Sequence, residues 1–320
     1  MQITPSESDR IARELKKRNA NLLHIYFGHI GVLLLPLIKA RPVPTVVSFH
    51  GADVMVQMEN PSFRLATQTM LDAVDLVLVR SESLAERLIA LDCRKNKIRI
   101  HRTGIPLDKL TFRQRQSPKD GRWRVLQACR LIEKKGLPVT LRAFARFTED
   151  YPEARLTIAG EGPLLPELKE IASQLRLTDH VDFPGFLSQE ELRAAYCDSH
   201  LFAHPSELGK DGNQEGIPNS MLEAMATGLP VLATKHGGIP EAVRDGVSGV
   251  LVDERDHKAL AEAMLSLASH EGNYKKMSEA AHQAAAEKFD LGTQVKVLES
   301  YYEEVLEDPH WPSASPNHRL

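Results

Sequence analysis

The sequence predicts an α/β fold made of two parallel-sheet domains, and two observations support this. Short apolar runs alternate with segments of helical period over most of the chain. That order favours parallel sheets covered by helices on both faces. The length of 320 residues exceeds the usual span of one hydrophobic core, so two domains are expected.

Ten apolar runs are strand candidates, four before a polar stretch and six after it. They are NLLHIYF, PTVVSFH, DLVLVR and KIRIHR, then WRVLQAC, RLTIAG, HVDFPG, HLFAHPS, LPVLAT and GVLVD. Helix candidates lie between them at 81–91, 138–149, 164–175 and 188–197. The polar stretch DKLTFRQRQSPKDGR at 108–122 lacks periodicity and is typical of an interdomain linker, which predicts a boundary near 118.

The chain after GVLVD has a helical pattern from about 256 to 307, and its last residues are typical of a frayed end. Six strand candidates suffice for a complete doubly wound domain, whereas four indicate a small first domain. The predicted organisation is an N-terminal Rossmann-like domain at 1–118, a C-terminal one at 119–290, a terminal helix at 291–307 and a disordered tail at 308–320.

Composition argues against several classes of protein. The chain is 42% apolar and 26% charged, with a net charge of −3, so it lacks the basic field on which nucleic-acid binding depends. Three separated cysteines and no signal peptide favour a reducing cytoplasm. The longest apolar run, at 30–38, is too short to span a bilayer. The basic segment at 10–18 is interpreted as a solvated helix face, with peripheral contact to anionic lipid as the weaker alternative.

The segment EGIPNSMLE places two carboxylates around a helix start marked by Pro218 and Asn219. The free amides of Gly216 and its neighbours at this start favour an anion or an oxygen-rich ligand. Glu215 and Glu223 would accept hydrogen bonds from the hydroxyl groups of a sugar or ribose. The alternative is a glutamate that stabilises the helix dipole and an unrelated solvated glutamate.

Four further turns follow strand candidates, where parallel sheets bind ligands. Arg130 and Lys135 suit a diphosphate, although such pairs are often surface charges. His50 in SFHGAD faces a cleft or is satisfied within the fold. AGEGP at 159–163 predicts a tight turn, and the glycines of KHGGIPE at 235–241 line the site or let the chain turn. The sequence has no HExxH and no aspartate pair for magnesium, so a mechanism without metal is favoured.

These segments together resemble family 4 of the retaining nucleotide-sugar glycosyltransferases. The resemblance is strongest from about 123 to 252, through RLIEKKG, IAGEGPL, FPGFLS, EGIPNSMLEAMATGLPVLAT, GGIPEAV and DGVSGVLV, and Glu215 with Glu223 fits the E-x7-E motif. FHGAD and IYFGH resemble the acceptor domain of bacterial exopolysaccharide and lipopolysaccharide enzymes. The resemblance implies the GT-B fold, in which two Rossmann-like domains face a cleft.

The resemblance also implies roles for individual residues. Arg130 and Lys135 would hold the donor diphosphate, where preorganised cations stabilise the charge that builds as the bond to the sugar breaks, and Glu223 would hold the ribose. Acceptor attack on the same face would retain configuration without a protein nucleophile. The segment that would hold the transferred sugar comprises Glu215 and the amides of Gly216, Ile217 and Pro218, with His50 approaching from the other domain. The residues that would border the base are Gly185, Phe186 and Leu187.

The implied function is transfer of a hexose from a UDP- or GDP-sugar to a glycan or lipid-linked acceptor in cell-surface polysaccharide biosynthesis, with no cofactor or metal. Oligomeric state is left open. Two features depart from the family. The glycine-rich opening strand is absent, so the first domain is expected to lack its first βαβ unit, and Cys129 stands where a glycine is common. The alternatives are a nucleotide-sugar-binding protein without turnover, and a GT-B epimerase or phosphorylase, against which the E-x7-E spacing argues.

Overall fold

The structure is a computed structural model, and it describes residues 2–51, 53, 59–210 and 212–307. The chain forms two compact units. The first joins the chain up to Arg102 with the segment from Gly292 onward, and the second is Thr103–Leu291. The tail predicted at 308–320 lies outside the described residues.

The first unit is built on a parallel sheet in the order β1-β2-β3-β4. Its strands are β1 Leu23–Tyr26, β2 Thr45–Phe49, β3 Leu76–Val79 and β4 Ile98–Ile100. Its helices are α1 Pro5–Lys17, α2 Gly28–Leu33, α3 Leu35–Ala40, α4 Pro61–Ala73, α5 Glu82–Ile89 and the terminal α13 Leu291–Leu306.

Both faces of the first sheet are covered, because its strands are apolar on both sides. Val47 and Val77 belong to a core that contains Met70 of α4 and Leu84 of α5. The other face carries Val46, Leu76 and Leu78, which cluster with Val305 of α13. The helix predicted at 291–307 therefore packs on the first unit.

The second unit is built on a parallel sheet in the order β10-β9-β8-β5-β6-β7. Its strands are β5 Arg124–Ala128, β6 Arg155–Ala159, β7 Val181–Gly185, β8 Leu201–His204, β9 Val231–Thr234 and β10 Gly249–Val252. Its helices are α6 Leu137–Asp150, α7 Leu165–Gln174, α8 Gln189–Asp198, α9 Asn219–Ala226, α10 Ile239–Ala242, α11 His257–Ser269 and α12 Glu271–Phe289.

Alternate residues of the second sheet enter separate cores. Val125 packs with Phe144 of α6 in one cluster, whereas Leu126 packs with Met221 and Met225 of α9 in the other. Each of the ten strand candidates contains a strand, and the α/β prediction of two parallel sheets is confirmed.

The division between units falls at 102/103, ahead of the boundary that the sequence indicates near 118. The segment that follows Arg102 is anchored to the second unit. Leu110 lies in a core of that unit. The buried Arg115 guanidinium donates to the carbonyl oxygens of Cys197 at 2.7 Å, Ser199 at 3.1 Å and Thr227 at 3.1 Å. This stretch therefore contains a buried cation, Arg115, and does not behave as a solvated linker.

Candidate active site

The topology of the second sheet brings two predicted loops together. From β5 the chain continues through β6 to β7 on one side, while β8, β9 and β10 lie on the other side. Such a reversal of strand order opens a crevice beyond the carboxyl ends of the two adjacent strands. Here those strands are β5 and β8, and they are followed by the loops that contain Lys135 and Glu215.

A buried cluster of three charges lies at this point. Lys135 Nζ is 2.8 Å from Glu215 Oε2, and Lys134 Nζ is 3.4 Å from the same oxygen. The three side chains are 8 to 12% exposed. Two cations and one anion leave the cluster with a charge of +1, and Glu215 Oε1 has no hydrogen-bond partner among the described residues.

The cluster is held in its charged state. Burial alone would raise the pKa of Glu215, but the ammonium groups of Lys135 and Lys134 outweigh it and bring the pKa to about 2. Burial lowers the pKa of Lys134, the Glu215 charge opposes this, and the Lys135 charge lowers the pKa further. Glu215 is therefore ionised at neutral pH and, with one carboxylate for two ammonium groups, the cluster attracts a further anion.

A glycine allows the turn that contains Lys134 and Lys135 to pack against Pro205, which follows β8. Lys134 and Lys135 lie in a short 3-10 turn, Glu133–Lys135, which ends at Gly136 with φ 61°. A Cβ atom at Gly136 would lie 1.8 Å from the carbonyl oxygen of Pro205. The close approach requires a glycine, and α6 then begins at Leu137 with its proline in the first turn.

The Glu215 loop is held from the opposite side by the turn after β9. The Glu215 amide donates to His236 Nε2 at 3.1 Å, and the Gly238 amide donates to the Gly216 carbonyl oxygen at 3.0 Å. A Cβ atom at Gly237 would lie 2.1 Å from the Glu215 carbonyl oxygen. The glycines of KHGGIPE therefore seat this turn against the Glu215 loop.

The start of α9 presents open hydrogen-bond donors. Gly216 and Ile217 are buried, and their N–H groups have no acceptor among the residues that the structure describes. Pro218 has no N–H group, so its predicted part as an amide donor is wrong. Buried amides are almost always paired, so these two N–H groups suit an oxygen-rich ligand.

Glu223 lies one turn into α9 and is half-buried. The buried Tyr196 hydroxyl of α8 donates to Glu223 Oε2 at 3.0 Å. Burial raises the pKa of Glu223, and the Tyr196 bond opposes this. The structure therefore supports Glu223 as a fixed acceptor group on the same helix that begins beside Glu215.

A cavity of about 460 Å³ brings Arg130 together with two residues predicted at the base. Arg130 is exposed, and Phe186 is 74% exposed. Burial raises the pKa of the Cys129 thiol to about 12, so this side chain is neutral. The cavity is lined by Ala128, Cys129, Arg130, Ala159, Gly160, Glu161, Phe186, Leu187, Leu192 and Ser220.

The loops around the cavity are tied to each other by their backbones. The Gly160 amide donates to the Gly185 carbonyl oxygen at 2.7 Å. Gly160 has φ 136°, and a Cβ atom there would lie 1.9 Å from the Cys129 carbonyl oxygen. Gly185 thus supports the cavity through its backbone, next to the exposed Phe186.

His50 lies in the first unit, at the end of β2, with both ring nitrogens hydrogen-bonded. Arg80 Nε donates to His50 Nδ1 at 3.3 Å, and His50 Nε2 lies 3.1 Å from Ser48 Oγ. Burial, followed by the Arg80 charge, lowers the pKa of His50 to about 4. The Asp53 carboxylate accepts the amides of His50 and Gly51 at 2.9 and 3.0 Å. The imidazole is therefore neutral and rigidly oriented.

A continuous hydrogen-bonded chain extends from His50. Ser48 Oγ is 3.1 Å from His24 Nε2, whose Nδ1 lies 2.6 Å from the Tyr302 hydroxyl of α13. Burial also lowers the pKa of His24 to about 4. Polar groups of β1, β2 and α13 thus share one network beneath the carboxyl end of the first sheet.

Four residues near the second-unit site were not predicted from the sequence: Lys134, Tyr196, His236 and Glu254. A fifth, His204 at the end of β8, is fully buried, and neither of its ring nitrogens has a hydrogen-bond partner among the described residues. Burial and then the Lys135 charge lower the pKa of His204 to about 3. The ring is neutral and does not compete for the Glu215 carboxylate.

The described part of the chain contains no group of three or more His, Cys, Asp or Glu side chains arranged to hold a metal ion. Within the same residues, every helix is too short or too polar to cross a bilayer.

The sequence matches two known families. Residues 2–109 match Glycosyltransferase Family 4, and residues 108–284 match Glycosyl transferases group 1. The second match covers more than half of the chain, so the chain belongs to the glycosyl transferases of group 1, with a family 4 domain in its first part. The predicted family is thereby confirmed.

Two curated relatives are similar over most of this chain. The putative colanic acid biosynthesis glycosyltransferase WcaL of Escherichia coli is 34% identical over 77% of this chain and 61% of its own length. The amylovoran biosynthesis glycosyltransferase AmsK of Erwinia amylovora is 34% identical over 82% of this chain and 65% of its own length. The chain thus spans about three fifths of the length of these relatives.

Solved structures share the fold. Anabaena HepE in complex with UDP and glucose has a TM-score of 0.78 at 20% identity, over 92% of this chain and 80% of that one. A glycosyltransferase from Rickettsia africae has a TM-score of 0.79 at 19% identity, over 95% of this chain and 81% of that one. Sequence identities this low bear on fold alone. The structural similarity confirms the GT-B class predicted for the chain.

Proposed function

We propose that the chain acts in the retaining transfer of a hexose from a UDP- or GDP-sugar to a glycan or lipid-linked acceptor during cell-surface polysaccharide biosynthesis. One observation carries this proposal. The buried Lys134, Lys135 and Glu215 cluster has a net positive charge and lies at the strand-order reversal beside open amides. A diphosphate joined to a sugar supplies the anion and the hydroxyl groups that such a site accepts.

The relatives support the chemical class. The two curated relatives are named for the biosynthesis of colanic acid and amylovoran. The HepE structure is described as a complex with UDP and glucose. We infer the same class of donor for this chain, while the base, the sugar and the acceptor are left to experiment.

In the proposed donor complex, cations surround the leaving group. Lys135, Lys134 and Arg130 bind the diphosphate, and Glu223 accepts hydrogen bonds from the ribose hydroxyls. Phe186 and Leu187 border the base, with Gly185 shaping their loop. Glu215 Oε1 and the amides of Gly216 and Ile217 receive the transferred sugar.

The proposed reaction breaks the bond between the anomeric carbon and the diphosphate oxygen. The negative charge that develops on the diphosphate is stabilised by cations already in place, so the proposed step requires neither a metal nor a cofactor. The acceptor hydroxyl forms the new bond on the face that the diphosphate leaves, and its proton passes to a phosphate oxygen. Configuration is retained, and no protein nucleophile is needed.

His50 stays a proposed site residue of the first unit. Its fixed, neutral ring suits a polar contact rather than proton transfer, because its nitrogens already bond Arg80 and Ser48.

We also propose a cytoplasmic location, with α1 as the segment that would touch anionic lipid. Arg10, Arg13, Lys16 and Lys17 of α1 are exposed.

Calorimetry with UDP and GDP tests the donor site first. We expect one of the two nucleotides to bind. Lys135→Ala should weaken its binding about tenfold, which corresponds to a loss of about 1.4 kcal/mol of binding free energy. Lys169→Ala, which removes an exposed charge of α7, is the matched control. If the wild-type chain binds neither nucleotide, the proposal fails.

Release of nucleoside diphosphate from UDP-glucose or GDP-mannose, with a lipid-linked or oligosaccharide acceptor, then tests transfer. Glu215→Gln should abolish the release while the thermal transition shows that the variant is folded. Nucleotide binding without turnover in any acceptor mixture would favour a binding protein over a transferase.

A further inference from the structure

A histidine and a glutamate lie behind the loop proposed to hold the sugar. His236 is 3% exposed, and its Nδ1 is 2.6 Å from Glu254 Oε1. Glu254 follows β10 and His236 follows β9, so adjacent parallel strands bring them to the same edge of the sheet. Neither side chain belongs to the groups assigned above to the diphosphate, the ribose or the base.

The hydrogen bonds fix the position of the imidazole proton. An amide N–H can only donate, so His236 Nε2 must accept from the Glu215 amide at 3.1 Å. The ring proton of neutral His236 is then on Nδ1 and is donated to Glu254. This is the arrangement in which a carboxylate selects one histidine tautomer and one ring orientation.

Glu254 is itself oriented by the same loop. Its Oε2 accepts the Leu208 amide at 2.9 Å. Burial would raise the pKa of Glu254, but the bonds from Leu208 and His236 outweigh it and lower the pKa. The carboxylate is ionised and bonds the beginning of the loop through Leu208, and the middle of the loop through His236.

The loop is therefore held both at the side chain and at the backbone of Glu215. Lys134 and Lys135 hold its carboxylate, and His236 holds its amide. The Gly216 and Ile217 amides follow directly, and neither donates to another described residue. The Glu215 amide lies one peptide before the Gly216 N–H group, so the His236 bond orients the backbone that leads to this donor. The Ile217 N–H group shares its peptide plane with the Gly216 carbonyl oxygen, which the Gly238 amide of the same turn holds.

We propose that His236 and Glu254 form a positioning pair that aims the sugar-binding part of the loop, and thereby sets the affinity for the transferred sugar rather than for the nucleotide. This inference rests on the proposed function, in which Glu215, Gly216 and Ile217 receive the sugar. The proposed diphosphate contacts come from Arg130, Lys134 and Lys135 and the base contacts from the cavity, and none of these residues bonds the His236 ring. Loss of the pair should leave nucleotide binding in place.

Two substitutions separate the bonds of His236. In His236→Gln, the side-chain oxygen can reach the Nε2 position and accept from the Glu215 amide, but the bond to Glu254 is lost. In His236→Asn, the shorter amide can donate to Glu254 but cannot reach Glu215. The pair of variants changes size and polarity similarly, and only one keeps the proposed bond.

The test compares nucleoside diphosphates with nucleotide sugars by calorimetry. UDP and UDP-glucose, or GDP and GDP-mannose, are used according to which nucleotide the wild-type chain binds. His236→Asn should bind the nucleotide sugar about three- to tenfold more weakly than wild type, the range expected for one hydrogen bond, with the nucleoside diphosphate unchanged. His236→Gln should recover most of the loss. Glu254→Ala should lose less affinity than His236→Asn, because it removes the bonds that hold Leu208 and the His236 tautomer but leaves the ring nitrogen that accepts from Glu215.

Controls separate this inference from a general loss of structure. His270→Asn changes an exposed histidine of the same unit and should alter neither affinity. Equal weakening of nucleotide and nucleotide sugar in His236→Asn, or no rescue by His236→Gln, overturns the positioning pair. Failure of the wild-type chain to bind either ligand refutes the proposed function instead, so the two failures are distinguishable.

Discussion

Lys135 Nζ and Lys134 Nζ lie 2.8 and 3.4 Å from a single oxygen of Glu215. Removing a lysine and removing the glutamate should therefore have opposite consequences for charge balance. Without Glu215 two buried cations are left unpaired, whereas without Lys134 a one-to-one pair is left. The cost of a buried charge depends on whether a partner is present.

Lys134→Met should lower the free energy of unfolding by only about 1 kcal/mol, because the bonds from Lys134 Nζ to Asn213 Oδ1 and the Gln214 carbonyl oxygen are lost while Lys135 and Glu215 stay paired. Glu215→Leu should lower it by about 3 to 5 kcal/mol, the usual effect of removing one partner from a buried pair. Urea unfolding at pH 7 measures both. Equal losses in the two variants would contradict the charge argument.

The same cluster predicts a pH dependence. The pKa of Glu215 in the folded protein, about 2, is below its ordinary value of 4.5, so the ionised group stabilises the fold above pH 4.5. That contribution is lost as pH falls from 4.5 towards 2. Urea unfolding of wild type and Glu215→Gln from pH 6 to 2.5 should give a difference in free energy that shrinks only in this window. A difference independent of pH would refute the assignment.

Much of this site was predictable from sequence, but the partners were not. Periodicity identified the strands, and the residues after them included Lys135, Glu215 and Phe186. That Lys135 meets Glu215 depends on β8 lying beside β5, a non-local pairing that local patterns do not encode. Lys134 and His236 were missed for the same reason. The presence of a lysine or histidine in the sequence does not indicate whether its side chain is buried against a distant loop.

The domain boundary illustrates the other limit. The stretch at 108–122 has the composition of a linker, yet Leu110 and Arg115 are buried in the second unit. Arg115 is satisfied by carbonyl groups far along the chain. A charge that is paired by tertiary contacts looks the same in sequence as one that is solvated.

Arg80→Met should raise the pKa of His50 from about 4 towards its ordinary value of 6.5, because the Arg80 charge lowers it. Burial is the larger cause and persists, so the pKa should stay below 6.5. Asp53 raises and His101 lowers the pKa of His50 in both proteins. Histidine NMR titration measures the change, and Arg64→Met, an exposed residue of α4, should leave it unaltered. An unchanged His50 pKa would contradict the contact.

Gly237→Ala should weaken binding of the nucleotide sugar, because its Cβ atom would lie 2.1 Å from the Glu215 carbonyl oxygen and displace the loop. Gly246→Ala is the matched control: Gly246 has φ 71° against 55° at Gly237, but no atom lies within 4 Å of the added Cβ. Both variants should carry about 1 to 2 kcal/mol of backbone strain. Calorimetry should show a loss of affinity only in Gly237→Ala, and equal affinities would exclude the steric contact.

Phe186→Ala should weaken nucleotide binding without affecting the fold. The side chain is 74% exposed and lines the cavity that contains Arg130, so its removal should change the free energy of unfolding by less than about 0.5 kcal/mol. Stacking of a base on an aromatic ring contributes about 1 to 3 kcal/mol, and UDP or GDP should bind correspondingly more weakly. Leu65→Ala, at a residue 65% exposed in the first unit, should change neither quantity. Undiminished affinity in Phe186→Ala would place the base elsewhere, because a base that stacks on this ring should lose that contact when the ring is removed.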